Sequence, residues 1–457
     1  MSATRRQFLA GAAAALAAPS RRPNLLLLFP DQHRFDWMGA NSSLPVRTPS
    51  LDALARRGTR FTRAVAPSPL CAPARACLAA GKEYERCRVP SNACDYPLDQ
   101  TTHYSLLRDS GYHVAACGKF DLHKKTQDWG LDGRRLIREW GFSDGIDNAG
   151  KHDAINSGAV TPKDPYMAYL HRHGLAGVHV QDFARRKGYS DTFPTPLPEE
   201  AYCDNWIGNN ALELLRRVPK GQPWYLSVNF TGPHSPMDIT PRMQERWRNV
   251  TGFPQPNRCP QYTPEVHVAI RQNYSAMVEN IDRWAGILLE EIRQRGELAN
   301  TLVVWSSDHG EMLGDHGRWG KSVPYQPSIG VPLVVAGAGA KPGQVSDALV
   351  RVMDLTATFL DYAGLSRPKE MDSRSLRDLL EGRARSHREY VLSGLGEWRV
   401  VFDGRYKLVR GFKPDQPKRA AADTLPLLFD LESDPLENTN LAEKAPGIVT
   451  RLSGLLG

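Results

Sequence analysis

The sequence predicts an α/β fold: a large, mostly parallel sheet flanked by helices on both faces, with a smaller C-terminal antiparallel sheet. Three observations predict it. Short continuous apolar runs alternate with amphipathic helical stretches through most of the chain. Two of the runs, "PNLLLLFPDQ" and "NTLVVWSSDHGE", stop at a carboxylate, as buried strands do when their carboxyl ends carry function. From about residue 386 the texture changes to short strands separated by turns.

The elements follow in order. "PNLLLLFPDQ" reads as a strand leading to Asp31, and "TPSLDALARRGTRFTRAVA" as a capped helix closed by Gly58 and then a strand. "TTHYSLLRDSGYHVAACGKF" repeats helix, glycine, strand. Residues 143–200 are rich in Gly, Pro, His and charge, with little periodicity, and read as loops inserted over the sheet, where substrate choice would reside. "RWAGILLEEIRQRGELANTLVVWSSDHGE" is a long amphipathic helix feeding a strand that runs to Asp308. "GVPLVVAG" is another buried strand and "VMDLTATFLDYAG" a following helix. "REYVLSG", "WRVVFDG", "YKLVRGF" and "LPLLFDLE" are the four strands of the appended sheet, and a helical stretch follows "PLENTNLA". The expected organisation is a leader over 1–17, a catalytic α/β domain over 22–385 and an antiparallel subdomain over 386–457.

The 457 residues are too many for one small core, and 41% hydrophobic with 24% charged residues is the composition of a globular chain. A net charge of +8 would favour anionic ligands or serve solubility alone. No zinc-finger spacing, aromatic-and-basic repeat or recognition-helix pattern points to nucleic acid. "TRRQFLAGAAAALAAPS" pairs Arg5 and Arg6 with a short Ala-rich apolar stretch ending in Ala15-Leu16-Ala17. It resembles a twin-arginine export leader, implying the twin-arginine export machinery as a partner and a periplasmic or secreted destination. The apolar run is far short of the ~20 residues that span a bilayer, so stable membrane insertion is not expected. Seven cysteines are an odd number for an exported chain, which leaves at least one unpaired within the monomer. Cys87 and Cys94 are close enough in sequence for a small disulfide loop.

"PSPLCAPARACLAAGKE" sets Cys71 ahead of Pro73, Arg75 and a run of small helix formers. Taken singly, "CAPAR" is a plausible turn and "SSDHGEMLGDHG" a plausible polar loop. Together with "PNLLLLFPDQ", "GYHVAACGKF", "GPHSP", "SSDHGEMLGDHGRWGK" and "GRYKLV…LFDLESDPLENTNLA", in this order, the chain resembles the formylglycine-dependent (type I) sulfatases of the alkaline-phosphatase superfamily. The resemblance runs from about residue 23 nearly to the C-terminus.

The resemblance implies that Cys71, in Cys-x-Pro-x-Arg, is oxidised by a formylglycine-generating enzyme to formylglycine, an aldehyde that hydrates to a geminal diol. Ala74 stands where the family usually has Ser. One hydroxyl of a diol can attack sulfur, and the other can then expel sulfate, which a plain serine ester could not do without water attacking a crowded sulfur. A hard cation would help the diol ionise and would neutralise sulfate oxygens. Its implied ligands are Asp31, Gln32, residue 71, Asp308 and His309; the family often has a second aspartate at Gln32 and Asn or His at His309. Calcium suits the oxygen donors, while His309 leaves room for magnesium or manganese. Arg75, Lys119 and Lys321 match the family's cations around diol and sulfate. His234, in "GPHSP", matches the histidine that contacts the ester oxygen and helps protonate the leaving alcohol.

One stretch departs from the pattern. The family commonly reads Gly-Lys-Trp-His-Leu-Gly, and this chain reads "GKFDLHKK", with Asp121 where the histidine is expected and His123 two residues on. On an extended segment residues 119, 121 and 123 point to one side, so either could be the base; His123 is the preferred assignment. The implied activity is hydrolysis of a sulfate ester, on a carbohydrate or another small sulfate ester. The alternatives are hydrolysis of a phosphonate or phosphate ester by the same diol and metal, or an inactive polyanion-binding homologue.

Overall fold

The computed structural model describes residues 22–41, 43–413 and 425–456; the leader expected over 1–17 lies outside them. The strands of the main sheet are β1 (Asn24–Leu28), β2 (Gly58–Phe61), β4 (His113–Gly118), β5 (Asp144–Asp147), β6 (Trp224–Asn229), β7 (Thr301–Trp305), β8 (Leu333–Ala336) and β9 (Gln344–Ser346), while β3 (Ala64–Val65) and β10 (Val350–Arg351) form a separate two-stranded ribbon. The eight strands lie in the order β5-β4-β6-β1-β7-β8-β2-β9. The five strands β5, β4, β6, β1 and β7 are all parallel, whereas β8 runs antiparallel to both β7 and β2.

The apolar runs are continuous because both faces of the sheet are covered. Leu25 and Leu27 face one core together with Leu302 and Val304. Leu26 and Leu28 face the other with Val303 and Trp305. This period-two division is what a strand buried on both sides requires. Each such fully buried side chain contributes on the order of 1.5–3 kcal/mol.

The C-terminal sheet is β11 (Val391–Leu395), β12 (Trp398–Phe402), β13 (Tyr406–Arg410) and β14 (Leu427–Asp430), antiparallel throughout. Trp398, Val400, Val409 and Phe429 pack into the main core, while Val401, Leu408 and Leu428 pack on the opposite face around Leu452 of the helix Pro446–Ser453. The appended sheet thus covers the main core along one face.

Two expectations change. Residues 143–200 carry β5 and three short helices, Lys151–Gly158, Pro165–Arg172 and Ala176–Arg185, where loops are expected. Asp164 caps the second by accepting from Met167 N. No Cys87–Cys94 loop forms: all seven cysteines are free thiols. Cys94 lies against Ser91, and the thiol beside Cys87 is Cys77.

Candidate active site

The site lies over the carboxyl ends of β4, β6, β1 and β7. Because β1 and β7 pair in parallel with Leu28 opposite Trp305, residues three beyond each strand end come side by side. Those residues are Asp31 and Asp308, and both are fully buried. Gly118 ends β4 with φ of 106°, and a Cβ there would come within 1.9 Å of the Asn229 carbonyl on β6. That close approach lets Lys119 N donate to Asn229 O and carries the Lys119 side chain into the same space.

Cys71 opens the helix Cys71–Ala80, whose alanines favour the helix and whose Pro73 falls in the first turn, where a missing N–H costs nothing. Gly81 closes it in the left-handed region with φ of 63°. Arg75 follows Cys71 by four residues, so both share one face. The helix N-terminus favours negative charge at residue 71.

Four ligand atoms, from Asp31, Cys71, Asp308 and His309, lie within 4.8 Å of one another, and all four residues are buried. Cys71 Sγ is 3.2 Å from His309 Nε2 and 4.0 Å from Asp31 Oδ1. His309 Nδ1 faces the Gly310 carbonyl at 3.1 Å. A carbonyl only accepts, so Nδ1 carries the hydrogen and Nε2 turns its lone pair to the cluster. Two carboxylates, an imidazole lone pair and the oxygen of Gln32 are a donor set that fits a divalent cation.

Cations hold these carboxylates in place. Arg75 Nε donates to Asp308 Oδ2 at 3.0 Å, its Nη2 lies 3.4 Å from Asp31 Oδ2, and its Nη1 donates to Lys119 O at 2.6 Å. Lys119 Nζ pairs with Asp31 and with Asp121, the latter at 3.1 Å. Lys321 Nζ donates to Gln32 Oε1 at 2.5 Å. Burial alone would raise Asp31, but Lys119 above all, with Lys321 and Arg75, holds it well below the usual carboxylate range. Burial and Asp31 push the Cys71 thiol up; Lys119 and Lys321 are the main opposing charges, and the thiol lies below its ordinary value. Burial opposes the charge on Lys119, yet Asp121 and Asp31 keep it well above the ordinary lysine value.

His234 projects from the loop after β6. Asp204 organises that loop by accepting from Thr231 N, Thr231 Oγ1 and Gly232 N at 2.8–3.1 Å. A Cβ at Gly232 would sit 2.4 Å from that carboxylate. His234 Nδ1 donates to Ser235 O at 2.6 Å, which leaves Nε2 free. Burial, reinforced by Lys321, puts His234 well below its ordinary value and so keeps it neutral.

The structure therefore gathers Asp31, Gln32, Cys71, Arg75, Lys119, His234, Asp308, His309 and Lys321. It does not bring in His123, whose ring lies 6.1 Å from Trp140 and whose charged surroundings are Asp95, Asp128 and Arg135. The reason is local: Asp121 has φ of 53° and Lys124–Thr126 turn, so the extended run that would align 119, 121 and 123 is broken. Asp121 remains at the site, paired with Lys119 and, at 3.2 Å, with Lys124.

Three residues of the site carry no role in the sequence reading. Glu311 accepts from Gln32 Nε2 and Tyr189. Lys124 bridges Asp121 and Asp153. His152 lies with its ring centroid 5.8 Å from that of His234, at the exposed start of a helix from the 143–200 segment. Glu311 lies inside the quoted "SSDHGEMLGDHG", two residues past His309, and that proximity was its only signal.

A parallel sheet with buried carboxylates at adjacent strand ends, facing a cysteine at a helix N-terminus, is the arrangement of an ester hydrolase of the alkaline-phosphatase type. The family model described as Sulfatase matches residues 23–365, and the chain belongs to the sulfatase family, which makes it a sulfuric ester hydrolase. Residues 314–452 also match the model described as N-sulphoglucosamine sulphohydrolase, C-terminal. An arylsulfatase of Clostridium perfringens is 28% identical over 92% of this chain and 90% of its own length. The fold matches phosphonate monoester hydrolase of Agrobacterium radiobacter with a TM-score of 0.79 at 22% identity, covering 95% of both chains. It also matches a structure solved with its substrate D-glucosamine-2-N,6-O-disulfate, with a TM-score of 0.75 at 21% identity over 95% of this chain and 97% of that one.

Proposed function

We propose that the protein hydrolyses a sulfate ester on a carbohydrate, using formylglycine made from Cys71 and a divalent cation held by Asp31, Gln32, residue 71, Asp308 and His309. The observation that carries this is Cys71 Sγ, fully buried and set among the ligand atoms of Asp31, Asp308 and His309. A buried thiol there has no packing rationale, since its neighbours are charged. The bound cation would supply a Lewis acid at the sulfate oxygens and lower the pKa of the hydroxyl beside it.

The chain's own residues do the rest. Asp31 remains ionised because Lys119 and Arg75 compensate it, and Arg75 also pairs with Asp308. Lys119 and Lys321, whose charges both act on residue 71, neutralise charge that builds on a transferring sulfuryl group. His234 has Nε2 free as a base; it would hand a proton to the departing alcohol only after that nitrogen has itself taken one up, for which the proton lost by the attacking hydroxyl of residue 71 is the source. Asp121, beside Lys119, is the group positioned to take a proton from residue 71 as sulfate is expelled; this replaces the preferred His123. Calcium is the favoured cation for the oxygen donors, with magnesium or manganese admitted by His309 Nε2.

Sulfated glucosamine is the substrate class that the C-terminal family match and the disulfated glucosamine complex support. The Agrobacterium neighbour supports a second reading, cleavage of phosphonate monoesters at the same centre. The Arg5-Arg6 leader supports twin-arginine export to the periplasm or beyond.

Co-expression with a formylglycine-generating enzyme tests the chemistry. The tryptic peptide spanning Cys71 should lose about 18 Da, and turnover of sulfated sugars should rise with the converted fraction. Equal turnover by unconverted protein would end the reading. A faster phenylphosphonate monoester than any sulfate ester would transfer it to the second.

A further inference from the structure

We infer that Glu311 is a positioning residue that locks the Gln32 side chain with its amide oxygen toward the cluster. This rests on the reading that the cluster holds a cation. Gln32 is the one implied ligand that could present either an oxygen or an NH2 group, and only the oxygen binds a cation.

Its backbone has no freedom to decide the matter. Gln32 sits at φ of 69°, its N–H donates to Asp308 Oδ1 at 3.1 Å, and its carbonyl accepts from Tyr274 OH at 2.6 Å. Glu311 decides it. This fully buried carboxylate receives four donors, two on each oxygen. Oε1 takes Leu313 N at 3.0 Å and Gly320 N at 2.6 Å. Oε2 takes Gln32 Nε2 and, at 3.0 Å, Tyr189 OH. With Leu313 N, Gly320 N and Tyr189 OH already donating to it, the carboxylate group presents an acceptor to Gln32, so the Gln32 NH2 faces Glu311. Gln32 Oε1 then faces the other way, where Lys321 Nζ donates to it.

No neutral isostere can do this. A glutamine at 311 has one accepting end, which serves either the two backbone N–H groups or the Gln32 and Tyr189 pair. Satisfying the backbone turns an NH2 toward Gln32 and favours the flipped amide. Tyr189 belongs to the 143–200 segment, so the same carboxylate joins that segment to a residue at the cation site.

Mn2+ titration of the full-length protein by calorimetry tests the inference, with thermal unfolding followed in parallel. Glu311→Gln should weaken Mn2+ binding on the order of 10- to 100-fold, the usual effect of removing an outer-shell partner. Adding Gln32→Glu should restore most of it, because a carboxylate offers oxygen on either side and the amide introduced at position 311 can donate to it. A merely structural role for Glu311 would not be rescued in this way. Should Glu311→Gln fail to fold, Gln32→Met, which neither donates to Glu311 nor offers an oxygen, must weaken binding at least as far. Wild-type affinity in Glu311→Gln or in Gln32→Met overturns the inference, as does a double variant as weak as the single one. A wild-type protein that takes up no Mn2+, Ca2+ or Mg2+ removes the cation reading and this inference with it.

Discussion

Arg75 and Asp308 form a fully buried ion pair, Nε to Oδ2 at 3.0 Å, that joins the Cys71 helix to the loop beyond β7. The same guanidinium reaches Asp31 and the Lys119 carbonyl, so its planar fork braces three of the strand ends that build the site. Arg75 therefore has a structural task alongside any contact with sulfate.

Arg75→Ala leaves two buried carboxylates poorly compensated and should destabilise the cation-free protein by about 3–5 kcal/mol. Saturating Ca2+ should recover part of that loss. Denaturant melts with and without chelator measure it, and equal losses in both would mean that the carboxylates do not bind a cation. Arg75→Lys should fall between, since an ammonium cannot span Asp308, Asp31 and the Lys119 carbonyl together.

Asp308→Ala removes one of the two carboxylates at the cluster and should abolish both tightly bound divalent metal and turnover. Elemental analysis after gel filtration gives the first readout. Full activity after exhaustive chelation, with no metal detected, would count decisively against a metal enzyme.

Asp121 and His123 can be separated by trapping. Asp121→Asn keeps the shape of the side chain but removes its basicity, and loss of a general base typically costs ~10²–10⁴-fold. Sulfate should then accumulate on the residue-71 peptide, seen as added mass, while His123→Ala turns over normally. The opposite pattern would restore His123 despite its position beside Trp140.

His103 gives the fold a directed response to acid. It is fully buried beneath the Cys71 helix, with Nδ1 donating to Ala79 O at 3.3 Å and Nε2 unpartnered, and burial pushes its pKa down to about 3. Above about pH 6.5, its unfolded value, the ring is neutral in both states and adds no pH dependence. As pH falls below that, the unfolded chain takes up a proton that the folded one refuses, so stability declines by about 1.4 kcal/mol per pH unit. His33 and His179, each pushed to about 4 chiefly by burial, act in the same sense. His103→Phe should flatten the decline between roughly pH 6.5 and 4.5 by about one proton's worth. An unchanged slope would show that His103 is already protonated or exposed.

Much of the architecture is legible because its signals are local. Leu25–Leu28 read as a doubly buried strand because each residue has to face one of two cores. Cys71, Pro73 and Arg75 are legible because the motif that carries the resemblance is contiguous in the chain. Gly58 marks a helix end because a Cβ there would run into the backbone of Val335 and Ala336. The 143–200 segment was illegible for the converse reason: helices of eight to ten residues are marginal alone and form here through packing, as Met167 and Leu170 do in the core that holds Leu26 and Leu28.

The sequence by itself determined the class of fold, the family and most of the residue types at the centre, since periodicity, capping and motif spacing are properties of neighbouring residues. Only the tertiary structure decided which of those residues meet. The pairing of β1 with β7 sets Asp31 beside Asp308; one left-handed residue, Asp121, keeps itself at the site and turns His123 away; Glu311 closes on Gln32 across 279 positions of chain. Register and backbone sign are set by the packing of the whole sheet, and no window of sequence contains them.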